Sequence, residues 1–113
     1  MTRLEFLEDT VAYYSEDVNR RAVVNGTCCY RTEDGRCCAI GRFIEDKDYD
    51  ESFEDHRIMD IFNKLSQELQ SLDKSFLSAV QDLHDDSGCW NTEVLSDEGL
   101  KCVEFIKYKY CNE

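Results

Sequence analysis

Proline is absent from this chain of 113 residues, and glycine occurs only five times. Without proline, turns must depend mainly on glycine and asparagine. No apolar run approaches the roughly 20 residues that a membrane-spanning helix requires, so we expect no membrane span. The first residues, MTRLEFLEDTVAYY, lack the charged-then-apolar order of an export signal. We therefore expect a cytoplasmic protein.

Basic residues are also few. Lysine and arginine together number 13 against 25 aspartates and glutamates, which gives a formal net charge of −12. Direct binding to nucleic acid needs a concentrated basic surface, so we expect none. The acidic balance fits a basic protein partner, a surface that mimics DNA, or solubility alone.

Catalytic motifs are missing from the sequence. It contains no glycine-rich phosphate loop, no GxSxG elbow and no HExxH helix. A nucleophilic cysteine needs electropositive surroundings that lower its pKa, and none of the seven cysteines is marked out in this way. We therefore expect no catalytic residues and no cofactor.

The length permits one domain with a single core. Apolar residues at helical spacing predict about four helices. These lie near residues 3–15, 58–65, 73–84 and 96–109. The first is predicted to begin at a capping box of Thr2 and Glu5 and to bury Leu4, Leu7, Val11 and Tyr14.

The third helix is predicted to bury Phe76, Leu77, Val80, Leu83 and His84, and a connecting turn before it is predicted to contain Leu69 and Leu72. The last is predicted to begin at the N-cap Ser96 and to bury Leu100, Val103, Ile106 and Tyr110.

The stretch CCYRTEDGRCCAIGRFI, residues 28–44, predicts the sheet. It predicts two short strands, 28–30 and 36–40, joined by a loop in which Gly35 suits a positive φ angle. A lone hairpin is stable only when it packs on helices. The predicted fold class is therefore α+β, with about four helices packed on one β-hairpin, near residues 28–40, in a single domain.

Residues 45–55, EDKDYDESFED, form the most acidic segment, with seven acidic residues among eleven. Such runs repel themselves and predict a solvated loop. Its early aspartates resemble a calcium loop, but Glu51 stands where glycine is needed and Arg57 where the closing glutamate is needed. An EF-hand is therefore excluded. The residues predicted to contact a partner are Asp46, Asp48, Asp50 and Glu51.

The cysteines offer a weaker possibility. In a reducing cytosol we expect thiols. Neighbouring strand residues such as Cys28 and Cys29 point to opposite faces, so neither vicinal pair readily chelates a metal alone. If Arg31 pairs with Arg36, Cys29 lies opposite Cys38. Zinc held by Cys29 and Cys38 is the alternative to buried thiols; the third ligand would be Cys89, His84 or His56. We predict no metal site.

A small-molecule site is another alternative. Histidine donates or accepts near neutral pH, indole offers a stacking face, and arginine presents a planar fork to anions. If they converge, five side chains would enclose a small anionic ligand such as a nucleotide: Arg20, Arg21, Arg42, His84 and Trp90. The competing interpretation is that the tryptophan fills the core, the histidine caps its helix and the arginines pair with surface carboxylates.

Motifs along nearly the whole chain resemble a group of small accessory proteins from tailed phages and some bacteria. Those proteins share a helix ending in Tyr-Tyr, an Arg-containing step, a CA[IV]GR strand, an LHD helix end, a tryptophan and an LSxxG helix start. The matching residues are Tyr13, Tyr14, Arg20, Arg21, Tyr30, Cys38, Ala39, Gly41, Arg42, Leu83, His84, Asp85, Trp90, Leu95, Ser96 and Gly99. The doubled cysteines and the acidic segment depart from the group.

The resemblance implies a phage protein that acts in the cytosol of a bacterial host. Small acidic accessory proteins of phages generally bind and modulate or inhibit a host factor, in some cases to counter a defence system. Our leading hypothesis is therefore a non-catalytic protein with a host protein as partner. The alternatives are a protein that binds or sequesters a nucleotide-like signal and an inhibitor that mimics DNA.

Overall fold

The first helix, α1 (Arg3–Glu16), begins at the capping box that the sequence predicts. The Thr2 hydroxyl accepts a bond from the Glu5 N–H, and the Glu5 carboxylate accepts one from the Thr2 N–H at 2.9 Å. Such a cap contributes about 1 kcal/mol. The structure, a computed structural model, describes residues 1–90 and 95–111.

The buried face of α1 is rotated from the predicted one. Leu7 and Tyr14 are buried as expected, but Leu4 is 39% exposed. Phe6 and Thr10 are fully buried instead. Thr10 is tolerated in the core because its hydroxyl donates to the Phe6 carbonyl at 2.8 Å.

A short antiparallel hairpin follows α1. β1 (Val23–Val24) pairs with β2 (Thr27–Cys28) across the turn Asn25–Gly26. Both turn residues have positive φ angles, 51° and 80°, which is the pattern of the two-residue turn that Asn-Gly favours most. Among the described residues this is the only sheet. The α+β class with one small hairpin is confirmed.

The hairpin lies upstream of its predicted position. Between residues 29 and 40 the chain forms one isolated bridge, Arg31 to Cys37, and not the pairing of Arg31 with Arg36 that the zinc alternative required. The chain leaves this ladder at once because Cys38, Ala39 and Ile40 are all fully buried. Three consecutive buried side chains do not fit a strand with one exposed face.

Four further α-helices follow in the described part of the chain. They are α2 (Ile58–Ile61), which continues as the 3₁₀ turn Phe62–Lys64, α3 (Gln67–Gln70), α4 (Lys74–Asp85) and α5 (Asp97–Tyr110). The sequence predicts a connecting turn where α3 forms. The buried face of α4 consists of the predicted residues Phe76, Leu77, Val80, Leu83 and His84.

The start of α5 is also as predicted. Ser96 caps it by accepting from the Gly99 N–H at 3.0 Å. Val103 and Ile106 are buried, but Leu100 is 52% exposed. The predicted stripe is therefore shifted, because Gly99 and not Leu100 faces the backbone of Cys89.

One core joins these elements. α4 packs against both α2 and α5, and α1 packs against α5. The aromatic rings of Phe6, Tyr14 and Phe76 are fully buried at its centre. None of the helices found in residues 1–90 and 95–111 has the length and apolar character needed to cross a membrane.

Candidate functional site

Residues 45–55, the acidic loop, are fixed to the core by two aromatic side chains. Phe53, in the 3₁₀ turn Glu51–Phe53, is only 3% exposed. Tyr49 packs on it edge to face, with ring centroids 6.0 Å apart. The sequence predicts only a solvated loop. The inward aromatics give this loop a defined shape.

Glu54 is the carboxylate in the loop that turns inward. It accepts hydrogen bonds from the backbone N–H groups of Tyr30 and Arg31 at 2.9 and 3.1 Å. It also accepts from the Tyr49 hydroxyl at 2.6 Å. Burial and this bond raise the pKa of Tyr49, so the phenol keeps its proton. Glu54 therefore joins the loop to the segment that follows β2.

Arg31 clamps the other end of the acidic loop. Its guanidinium donates to the Ile44 carbonyl at 2.6 Å and to the Asp46 carboxylate at 2.8 Å. The same group lies 4.3 Å from the centre of the Tyr49 ring. Sequence reasoning missed both Arg31 and Glu54. The available signal was the four-residue spacing of Tyr49 and Phe53 within a charged run.

The four carboxylates predicted to contact a partner face solvent. Asp46 keeps its side chain 98% exposed despite the Arg31 contact. Asp50 accepts from the Ser52 N–H at 2.8 Å, and this bond holds the pKa of its carboxyl below the usual range. Asp48 and Glu51 are exposed. The loop therefore presents several exposed carboxylates, which can bind lysine and arginine side chains.

Two of the residues predicted to bind a ligand stack on one ring. The Arg42 and Arg20 guanidinium groups lie 3.9 and 4.5 Å from the centre of the Tyr13 ring. Arg42 also pairs with Asp9 at 2.8 Å, and Arg20 pairs with Glu16 at 2.9 Å. These contacts are those of the competing interpretation, in which arginines pair with surface carboxylates.

His84 is a fully buried histidine with both ring nitrogens engaged. Nε2 accepts from the Ala22 N–H at 3.3 Å, and Nδ1 lies 2.7 Å from the Asp85 carboxylate. Its backbone carbonyl accepts from Arg21 Nε at 2.8 Å. The histidine thus holds the end of α4 against the segment between α1 and β1, which is a structural contact.

Trp90 fills the core beside the same helix end. Its indole N–H donates to the Leu83 carbonyl at 2.9 Å. The Trp90 and His84 rings both pack edge to face on Tyr14, at centroid distances of 5.9 and 5.0 Å. Arg20, Arg42, His84 and Trp90 therefore all contact Tyr13 or Tyr14 near the end of α1, with the histidine and the tryptophan buried in the core. Most of the polar atoms involved bond within the chain.

Cys29 and Cys38 do not lie opposite each other, as the zinc alternative requires. The Cys38 N–H donates a hydrogen bond to the Tyr30 carbonyl at 3.2 Å. Tyr30, and not Cys29, therefore lies opposite Cys38. The Cys38 sulfur is buried and accepts from the Gly41 N–H at 3.1 Å. Burial raises the pKa of this thiol to about 12. In the part of the chain that the structure describes, no three metal-ligating side chains are grouped around one point.

A groove of about 280 Å³ between α2 and α4 was not foreseen. Its lining includes Cys28, Tyr30, Ile58, Gln81, Asp82 and Asp85. Burial, followed by the neighbouring Asp85, raises the pKa of the Asp82 carboxyl. Because the lining comes from three separated segments, no local motif indicates this groove.

Comparison with known proteins gives this chain no family. No family model matches it, and no curated protein or solved structure is significantly similar to it. The resemblance to phage accessory proteins therefore stays a prediction.

Proposed function

We propose that this is a non-catalytic binding protein whose acidic loop engages a basic surface of a partner protein. The observation that carries the proposal is the inward anchoring by Tyr49, Phe53 and Glu54 of a loop that turns its other carboxylates outward. A loop already fixed in shape loses less conformational entropy when it binds. Solubility alone requires charge but no such fixed presentation.

The charge distribution supports a basic partner. The net charge of −12 attracts a basic surface over a distance and raises the association rate, most strongly at low salt. Within the acidic loop Lys47 is the only cation, and it contacts Glu45 at 3.5 Å. Following the sequence resemblance, we propose that this chain is a phage protein and that its partner is a protein of the bacterial host. Binding inhibits the partner or counters a defence system of the host.

The test compares two variants of equal charge. The loop variant carries D46N, D48N, D50N and E51Q, and the control carries E8Q, E33Q, E68Q and E104Q at exposed positions outside the loop. Both variants have a net charge of −8, from −12 plus four. Each is immobilised, and the partner captured from bacterial extract is identified and then purified for affinity measurements.

We expect the loop variant to bind that partner at least about tenfold more weakly than the control, since several charge-assisted contacts are lost. Its affinity should also depend less on salt. If the loop variant binds as tightly as the native chain, the proposal is wrong. If both variants weaken equally, net charge and not the loop is responsible.

A small anionic ligand is the second candidate, and one observation favours it. Three buried arginine nitrogens have no hydrogen-bond partner within the described residues, and two of them, Arg21 Nη2 and Arg42 Nη1, belong to the predicted ligand-binding residues; the third is Arg31 Nε. Buried donors are normally satisfied, and an anion could satisfy them. Native mass spectrometry of gently purified protein should then show a few hundred daltons, roughly one nucleotide, above 13.2 kDa. A clean apo mass would reject this candidate.

The DNA-mimic alternative ranks below both. A mimic needs carboxylates spaced like phosphates over an extended face. The exposed carboxylates Asp46, Asp48, Asp50 and Glu51 are concentrated instead in one loop.

A further inference from the structure

The sulfur atoms of Cys89 and Cys102 lie 3.9 Å apart. Cys89 ends the 3₁₀ turn Ser87–Cys89 and is fully buried, whereas Cys102 lies on the second turn of α5 and is partly exposed. Both are free thiols in this structure. At this distance the Cys89 thiol donates a hydrogen bond directly to the Cys102 sulfur.

Gly99 is the reason that the two sulfurs meet. A Cβ atom at this position would lie 2.2 Å from the Cys89 carbonyl oxygen, so only glycine allows α5 to approach so closely. The same carbonyl accepts from the Ser96 N–H at 2.9 Å. Gly99 and Cys102 are three residues apart on one helix face. The backbone contact at Gly99 therefore directs Cys102 toward Cys89.

The other cysteines have different surroundings. The sulfurs of Cys28, Cys29 and Cys37 lie 3.8 to 3.9 Å from backbone carbonyl oxygens. Cys38 accepts a bond from a backbone N–H. Proximity to a second sulfur is therefore the property that sets Cys89 and Cys102 apart from these four.

We propose that Cys89 and Cys102 are a thiol oxidation site that forms an intramolecular disulfide in response to a hydroperoxide. The sulfurs must approach to the bond length of about 2.0 Å, which requires a movement of roughly 2 Å. This site does not depend on the acidic loop or on the proposed partner.

The reaction balances in two steps. The more exposed Cys102, as thiolate, attacks the terminal oxygen of the hydroperoxide and breaks the O–O bond. That oxygen stays on Cys102 as a sulfenic acid, and the other oxygen takes up a proton and leaves as an alcohol or water. Cys89 then attacks the Cys102 sulfur, loses its thiol proton and displaces water. The two thiol sulfurs supply the two electrons that reduce the peroxide. A low-molecular-weight thiol reverses the reaction by exchange.

The disulfide can be detected by tryptic digestion. Cleavage after Lys101 places Cys89 and Cys102 on different peptides, each with one cysteine. Reduced protein is treated with hydrogen peroxide, remaining thiols are alkylated, and the digest is analysed without reduction. We expect the peptide 75–101 joined to the peptide 102–107. Trp90, the only tryptophan, adjoins Cys89, so its fluorescence should fall on oxidation and recover with reductant.

The variants Cys102→Ser and Cys111→Ser form a matched pair on α5 and at its end. Oxidation should raise the Tm of the native chain and of Cys111→Ser by about 10 °C, because a closed loop of this length restricts the unfolded chain. Cys102→Ser should show neither the Tm rise nor the fluorescence change. The proposal is overturned if peroxide oxidises other cysteines while these two peptides remain separate. The digest of the native chain shows whether the disulfide forms, even if a variant fails to fold.

Discussion

The Glu54 carboxylate accepts a hydrogen bond of 2.9 Å from the backbone N–H of Tyr30, a residue 24 positions earlier in the chain. The Tyr30 hydroxyl in turn donates to the His56 carbonyl at 2.7 Å. Two bonds in opposite directions thus tie the end of the acidic loop to the segment after β2. This pairing holds the loop carboxylates at defined positions.

Replacing Glu54 with glutamine should release this attachment. An amide offers one acceptor oxygen, so at least one of its three donors loses its partner. We expect the free energy of unfolding to fall by about 1–3 kcal/mol, measured by urea titration, and amide exchange at Tyr30 to accelerate. Glu51→Gln, at an exposed position in the same loop, is the control. Equal losses in the two variants would refute the anchoring role.

His84→Leu should destabilise the fold although leucine fills a similar volume. The change leaves the Ala22 N–H without its acceptor and the Asp85 carboxylate without its imidazole contact. An unsatisfied buried donor costs about 1–3 kcal/mol, which thermal or urea unfolding would show. His56→Leu, at an exposed histidine, should change stability little. A His84→Leu protein as stable as the native chain would contradict the structural role.

Gly99→Ala should be destabilising despite the higher helix propensity of alanine. The new Cβ would lie 2.2 Å from the Cys89 carbonyl oxygen, and a backbone atom cannot move away cheaply. We expect a loss of about 1–3 kcal/mol, measured by urea unfolding. Gly88→Ala is the matched control, because its Cβ meets the flexible end of the Glu98 side chain at 2.7 Å. A Gly99→Ala loss no larger than the control would disprove the close approach.

The capping box predicts a pH dependence. The bond from the Thr2 N–H lowers the pKa of Glu5 in the folded chain. The ionised carboxylate therefore contributes stability above its unfolded pKa, and this contribution is lost as the pH falls through the lowered folded value. The native chain should have a higher Tm than Glu5→Gln at about pH 7, and the difference should shrink toward about pH 3.

Glu8→Gln provides the control for this experiment. It removes the same charge from the same helix but leaves the cap intact. Its Tm difference from the native chain should not follow the same profile. A Glu5→Gln difference that stays constant from neutral to acidic pH would show that the cap bond does not carry the effect.

Local patterns predict the helices well in this protein. The caps at Thr2 and Ser96 were recognised because each depends on residues within one helical turn. The buried face of α4 was recognised because its apolar spacing is regular. In α5 the periodicity favoured Leu100, but the contact with Cys89 selects Gly99. The spacing of apolar residues does not predict a contact between distant segments.

The hairpin shows how two turn signals compete. Asn25–Gly26 and Gly35 both favour a reversal, and both have positive φ angles in the structure. The two-residue turn forms the ladder because its twist matches that of paired strands. The second reversal yields one bridge, since the core takes up Cys38–Ile40. The burial of residues 38–40 determines which reversal forms the paired strands, and the turn residues themselves do not predict that burial.

The candidate site was only partly predictable. Composition marked residues 45–55 as acidic, which correctly indicated exposed carboxylates. It did not indicate that Glu54 turns inward or that Arg31 reaches Asp46 and Tyr49. These partners are brought together by the fold of distant segments.

The short hairpin has a consequence for association between chains. A strand at the edge of a sheet presents unpaired N–H and C=O groups to which another chain can add. β1 and β2 are each two residues long, so the sheet in the described residues offers an incoming strand very few such groups. During concentration or refolding, aggregation through strand addition to this sheet should therefore be inefficient.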